Sequence, residues 1–389
     1  MARSRHARCA LPLLLLSHSR ASLSASSSPN NANNGSDCSL FAINGSSSAA
    51  AAYFTHYRFY DFRNISDPQP PPAGASSGLT ASHTTNDSSW HLDWSARDQA
   101  KGAANRRSIP VDYLPENIFV EKSNESSAEY SSYLTLATSR LKNDTQSAAE
   151  IDFTPSSDVV YISLRVLARV SGAAGAVAGI FTYNSDVSES DIEILTQDPD
   201  SRVRYSTQPT TDPETGAPIT GATVNATIPS DNWHAWNVHR LDWLPGQVAS
   251  WADGSRLHTS TVNVQNGTAG SRVILDMWSN GGSFSGDMDV GGRAIMEVQW
   301  IEMAFNVSGG SVGQGGTVCD IDKVVGSPVP VADSGGASIS PGWEAVALIC
   351  FGVLARSYTR AKAGHASLAS DVLHGRPVGK RLHQPMAKG

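Results

Sequence analysis

Between Thr182 and Pro199 the chain reads TYNSDVSESDIEILTQDP, and within it Glu189, Asp191 and Glu193 alternate with Ser190 and Ile192. Residues two apart on a β-strand project from one face. The three carboxylates therefore share a face, while Ile192 and Ile194 turn to the other side, into a core. Like charges in a row disfavour ionisation of at least one member. A charged carboxylate beside one that keeps its proton suits cleavage of a glycosidic bond. The ionised group attacks or steadies an oxocarbenium-like sugar, and the acid delivers its proton to the departing oxygen. Retention of configuration needs the two carboxyl groups about 5–5.5 Å apart, and inversion about 6.5–9.5 Å. Alpha carbons four apart on a flat strand are roughly 13 Å apart. The outer side chains must then lean inward from the middle of a concave sheet face. Taken alone, the acid-x-acid-x-acid pattern fits a solvated strand face or a calcium-binding patch better.

The elements that must position this row are also strands. Short apolar runs recur between turn signals: YLTLATSRL from Tyr133, VVYISLRVLARV from Val159, AWNVHRLDWLPG from Ala235, SRVILDMW from Ser271 and AIMEVQWIEMAF from Ala294. Ile162, Leu164, Val166 and Ala168 fall at period two, which gives a strand one buried face. No long segment carries the 3.6-residue period of a helix. Many short strands without intervening helices predict an all-β sandwich or barrel. The strand-rich region runs from Tyr53 to about residue 308 and fits one domain.

The chain has 389 residues and a formal charge of −7, with 36 acidic and 29 basic side chains. That balance offers no footprint for nucleic acid. Arg3, Arg5 and Arg8 precede an apolar core from Cys9 to Leu16, so residues 1–25 read as an export signal and a secreted protein is expected. Nine Asn-x-Ser/Thr triplets, beginning at Asn34, Asn44, Asn64, Asn86, Asn124, Asn143, Asn225, Asn266 and Asn306, agree with a secretory route and a glycoprotein. Residues 26–52 are low in complexity and predicted to be disordered apart from an anchor at Cys38. Residues 309–341 read as a Gly/Ser/Pro-rich linker interrupted by VCDIDKVV, and residues 342–389 as an apolar then basic tail. The apolar stretch from Trp343 to Ala355 is too short for an ordinary membrane span, so no membrane association is expected. Of the four cysteines, Cys38 and Cys319 flank the central region. In an oxidising compartment they are expected to pair; the alternative is free thiols, and Cys350 stays single or pairs elsewhere.

With its flanks, the acidic row resembles the signature of glycoside hydrolase family 16: Glu, an aliphatic residue, Asp, an aliphatic residue, an optional extra residue, then Glu. Here it reads Glu189-Ser190-Asp191-Ile192-Glu193. VSGAAGAVAGIFTYNSD upstream resembles the small-residue strand and aromatic turn of secreted fungal members. YRFYDFRNI, VDYLPENIFV, LTLATSRL with QSAAEI, HRLDWLPGQVASWADG and MWSNGG are similar to family segments as well. The resemblance covers residues 53–307 and implies a concanavalin A-like β-jelly-roll sandwich and retaining double displacement on β-glucan. It implies Glu189 as nucleophile, Glu193 as general acid/base and Asp191 as the hydrogen-bonding partner of the nucleophile. It implies no cofactor, although a structural calcium is possible in the family, with no ligands identifiable here. Two departures stand out. Ser190 replaces the usual aliphatic residue, and its side chain should face away from the carboxylates. The optional extra residue is missing, as in mixed-linkage glucanases and cell-wall transglycosylases rather than in the laminarinase-like branch.

The resemblance also points to sugar platforms. Trp278 in DMWSNGGSF is the first choice, Phe284 a second aromatic a few residues on, and Tyr183 a third. Trp233, Trp236, Trp243 and Trp251 belong to strand-like or turn segments and read as core. His234, His239 and His258 form no HExxH pair; a hydrogen-bonded strand histidine is expected at His239. Three functions follow for a monomeric β-glucan-acting protein: an endo-glucanase, a transglycosylase with the same carboxylates, or a sandwich lectin without turnover.

Overall fold

The computed structural model describes residues 38–44, 52–65, 93–125, 129–153, 159–309 and 316–331. The expected export signal, most of the low-complexity segment, the C-terminal tail with Cys350, and the sequon asparagines Asn34 and Asn86 lie outside the described residues.

In chain order the strands are β1 Cys38–Ile43, β2 Ala52–Phe54, β3 His56–Asp61, β4 Trp94–Ala96, β5 Gln99–Lys101, β6 Val111–Tyr113 and β7 Ile118–Lys122. They continue with β8 Ser132–Arg140, β9 Gln146–Phe153, β10 Val159–Gly172, β11 Val177–Ser185, β12 Ser188–Leu195, β13 Arg202–Thr207 and β14 Thr223–Thr227. The last are β15 Asn237–Leu244, β16 Gln247–Ala252, β17 Ser255–Ser260, β18 Arg272–Trp278, β19 Arg293–Val307, β20 Thr317–Asp320 and β21 Val329–Pro330. A 3-10 turn at Pro115–Asn117 leads into β7.

Seven strands form the front sheet in the order β4-β9-β18-β11-β12-β13-β14, every pair antiparallel. The back sheet is built on β10, which pairs β19 on one side and β15 on the other, with β16 and β17 beyond. Strand β9 joins the two sheets: residues 149–153 pair with β18 in front, while residues 146–148 pair with β6 and β8 behind. The architecture is all-β, the sandwich that the short strands predict and the jelly roll that the resemblance implies.

Alternation explains the core between the sheets. Ile192 and Ile194 of β12, Val203 and Tyr205 of β13, and Val273, Leu275 and Met277 of β18 meet Leu164 and Val166 of β10 and Leu241 and Trp243 of β15. Strand β19 is instructive. Its core residues run Ala294, Met296, Val298 and then Ile301, Met303, Phe305, a slip of one residue. A bulge opposite Leu167 and Ala168 absorbs the slip and keeps both halves facing inward. The same kink changes the partner strand, from β8 before it to β3 after it.

A four-stranded sheet, β2-β1-β20-β21, sits at the edge of the sandwich. Strands β1 and β20 run parallel, and the Cys38–Cys319 disulfide joins them with alpha carbons 5.7 Å apart. Phe41, Ile43, Phe54 and Ile321 pack with Tyr57, Leu244 and Ala304 of the sandwich. Arg165 of β10 donates to the Ile321 carbonyl at 2.9 Å and to Asp322 at 2.5 Å. Thus VCDIDKVV, which composition places inside a linker, supplies a strand, because β1 lends it backbone partners from the other end of the chain.

His239 departs from its expected hydrogen-bonded setting. It faces inward with Leu241 and Trp243 on β15, is fully buried, and neither ring nitrogen finds a partner among the described residues. Burial drives its pKa down from 6.5 to about 4. A depressed pKa makes folding bind fewer protons than the unfolded chain does, so this contribution is intact above pH 6.5 and is lost as pH falls toward 4. At pH 4.5 the loss amounts to about 2–3 kcal/mol. Urea unfolding at pH 7 and pH 4.5 should therefore show a smaller acid-induced loss in His239→Leu than in the native chain. Equal losses in the two proteins would contradict the assignment.

Candidate active site

Strand β12 lies between β11 and β13, away from the edges of the front sheet. Its inward face carries Ile192 and Ile194, so its outward face carries Glu189, Asp191 and Glu193, as strand alternation demands. All three are nearly buried, at 7%, 2% and 5% exposure, with the outer two more open than the central one. Ser190 is fully buried on the opposite side beside Gln265, whose amide also accepts from Thr182 at 2.7 Å and donates to the Ser188 carbonyl at 2.8 Å. A polar pocket in the core explains a serine where an aliphatic residue is usual.

The strand register lays out the carboxylate face in rows. Glu189 stands opposite Tyr183, and Tyr183 opposite Arg272. Asp191 stands between Phe181 and Ser206. Glu193 stands between Gly179 and Arg204, and Gly179 in turn faces Asp276, which faces Glu150. Gln208 donates its side-chain amide to Asp191 at 3.2 Å, and its backbone N–H bonds the Glu189 carbonyl at 3.0 Å. One glutamine therefore ties the middle carboxylate to the backbone beside the first.

The three aromatic residues divide between the ends of the row. Trp278 and Phe284 lie stacked, ring centroids 6.4 Å apart and planes at 17°. Trp278 ends β18 two pairs beyond the Asp276 row, on the same face, and is half-buried over Val111, Tyr113 and Ala148. Arg204, paired with Asp198 at 2.8 Å, holds its guanidinium 5.4 Å from the Phe284 ring centre. This group borders the Glu193 end. Tyr183 occupies the Glu189 end, where its phenol donates to Asp186 at 2.9 Å and the Arg272 guanidinium lies 5.4 Å from its ring. Burial, then Asp186, push the phenol up to about 12, so it stays neutral in acid and at neutrality.

Sequence reasoning missed a second set of charges on the same face. Asp276 on β18 and Glu150 and Asp152 on β9 are all nearly buried. Arg97 forms an ion pair with Glu150, and Arg272 reaches Asp152 at 3.1 Å. Burial raises the pKa of both Glu150 and Asp152 despite these cations. Burial also lowers that of Lys101, which sits 4.6 Å from the centre of the Tyr113 ring. The signal was present in SRVILDMW and QSAAEIDF, where Asp276, Glu150 and Asp152 alternate with core residues. It could not be used without knowing that β18 pairs with β11 and β9 with β18. Among the described residues no three His, Cys, Asp or Glu side chains are grouped so as to hold a metal ion.

No family model and no curated protein matches the sequence. The chain is similar in structure to a β-1,3-1,4-glucanase (lichenase) from a mouse hindgut metagenome. The TM-score is 0.44 at 16% identity, covering 64% of this chain and 99% of that one. It is similar to a Bacillus licheniformis β-glucanase, with TM-score 0.42, 16% identity, and 62% and 98% covered. The laminarinase catalytic domain of Thermotoga maritima gives TM-score 0.40 at 16% identity, with 50% and 82% covered. The chemistry of this chain is argued below from its own residues.

Proposed function

We propose that this chain is a secreted, retaining, endo-acting glycoside hydrolase that cleaves β-glucan by double displacement. The observation that carries the reading is the single outward row of Glu189, Asp191 and Glu193 on an interior strand of the front sheet. Glu189 attacks the anomeric carbon, and Glu193 gives its proton to the leaving oxygen and then takes one from water. Asp191, steadied by Gln208, hydrogen-bonds the nucleophile and shapes its charge. The Trp278–Phe284 pair and Tyr183 offer apolar ring faces to pyranose units at opposite ends of the row. The Cys38–Cys319 disulfide supports an oxidising compartment.

Mixed-linkage β-glucan and laminarin, each supplied with and without a labelled oligosaccharide acceptor, test the reading. The expected result is release of new reducing ends with a bell-shaped, acidic pH profile, since two coupled carboxylates set its limbs. Label appearing in long products would assign transglycosylation to the same carboxylates. Binding without turnover over long incubation would make the protein a lectin and end the hydrolase reading.

A further inference from the structure

Gly179 is the one position on the carboxylate face where β11 offers no side chain between Glu193 and Asp276. A Cβ built there would lie 2.5 Å from Oδ1 of Asp276, which is closer than such atoms approach. The Asp276 carboxylate therefore occupies the space over the glycine itself. Neighbouring strands are about 4.8 Å apart, so Glu193 and Asp276 start from backbones about 9.6 Å apart. By leaning over Gly179, Asp276 closes a large part of that gap. It does so in an environment where both residues are about 95% buried, each 5% exposed, so water screens their interaction poorly.

We propose that Asp276 is a positioning residue for Glu193: reaching over Gly179, its carboxylate lays a negative charge beside Glu193 that keeps the proton there until the leaving oxygen takes it. The role of Glu193 as acid rests on the hydrolase reading above; the position of the Asp276 carboxylate over Gly179 does not. The charged groups that face Glu193 are Asp191 on its own strand, Arg204 from β13, Asp276 from β18 and Glu150 from β9. Arg204 is engaged with Asp198, and Arg97 with Glu150. Asp276 is thus the acidic group brought nearest to Glu193 across β11. Its negative charge disfavours a second negative charge on Glu193.

The decisive measurement is a carbon-13 titration of side-chain carboxyl groups in the full chain, with the Glu193 signal assigned by its loss in Glu193→Gln. It needs no substrate. Asp276→Asn keeps the shape and removes the charge, and Glu193 should then lose its proton roughly one pH unit lower. Gly179→Ala keeps the charge and displaces the carboxylate, and should move Glu193 in the same direction by less. With an active substrate, the alkaline limb of the rate profile should move down by a similar interval in Asp276→Asn, and the acid limb should stay. A Glu193 titration unchanged in both variants overturns the proposal, whatever the activity. Failure of wild-type turnover on every β-glucan, with the Glu193 shift intact, overturns the hydrolase reading and leaves the coupling established.

Discussion

Turnover of β-glucan falls by at least about a thousandfold in Glu189→Gln, with the fold and its melting temperature retained. Glutamine fills the same volume on β12 and keeps hydrogen-bonding capacity, so the loss reports nucleophilicity alone. The row also becomes less repulsive, which argues against a stability penalty. Glu189→Ala makes the chemistry explicit. On an aryl β-glycoside with a good leaving group, added azide enters the vacated space and attacks the anomeric carbon once. The product is then the α-glycosyl azide, because one displacement inverts what two displacements retain. Recovery of α-azide identifies Glu189 as the nucleophile. Native-like release of reducing ends by Glu189→Gln would remove it from that role.

Removing the Cys38–Cys319 disulfide, with both residues changed to serine, should lower stability by up to about 5 kcal/mol and the melting temperature by about 10 °C. The bridge closes a sequence separation of 281 residues, long enough for the entropy of the open chain to be large. A second effect adds to it. Strands β1 and β20 come from opposite ends of the described chain, and the edge sheet that they form carries only a small core of its own. Without the bridge that sheet must be held by Phe41, Ile43, Phe54 and Ile321 against Tyr57, and by Arg165 on Ile321 and Asp322. Calorimetry on the double serine variant measures the change. A melting temperature within about 2 °C of the native value would show that the bridge contributes little to the cooperative unit.

Taken together, the carboxylate face is a charge-dense surface assembled by register. Cations pair with some of its acids, as Arg97 does with Glu150 and Arg272 with Asp152. The face carries at least six buried acidic side chains: Glu150, Asp152, Glu189, Asp191, Glu193 and Asp276. In the proposed hydrolysis, their mutual repulsion favours one ionised carboxylate beside one that keeps its proton.

The period-two alternation in SESDIEIL, YISLRV and SRVILDMW was enough to determine an all-β chain, the shared face of Glu189, Asp191 and Glu193, and the inward turn of Ile192 and Ile194. Those properties are local: a strand sends neighbouring side chains to opposite sides wherever it lies. Which strands stand beside β12 is not local. Placing Asp276 over Gly179, parting Trp278 from Tyr183, turning VCDIDKVV into a strand and burying His239 without a partner all depend on long-range pairing. That pairing follows from the burial of many distant apolar faces together, so no short window of sequence contains it.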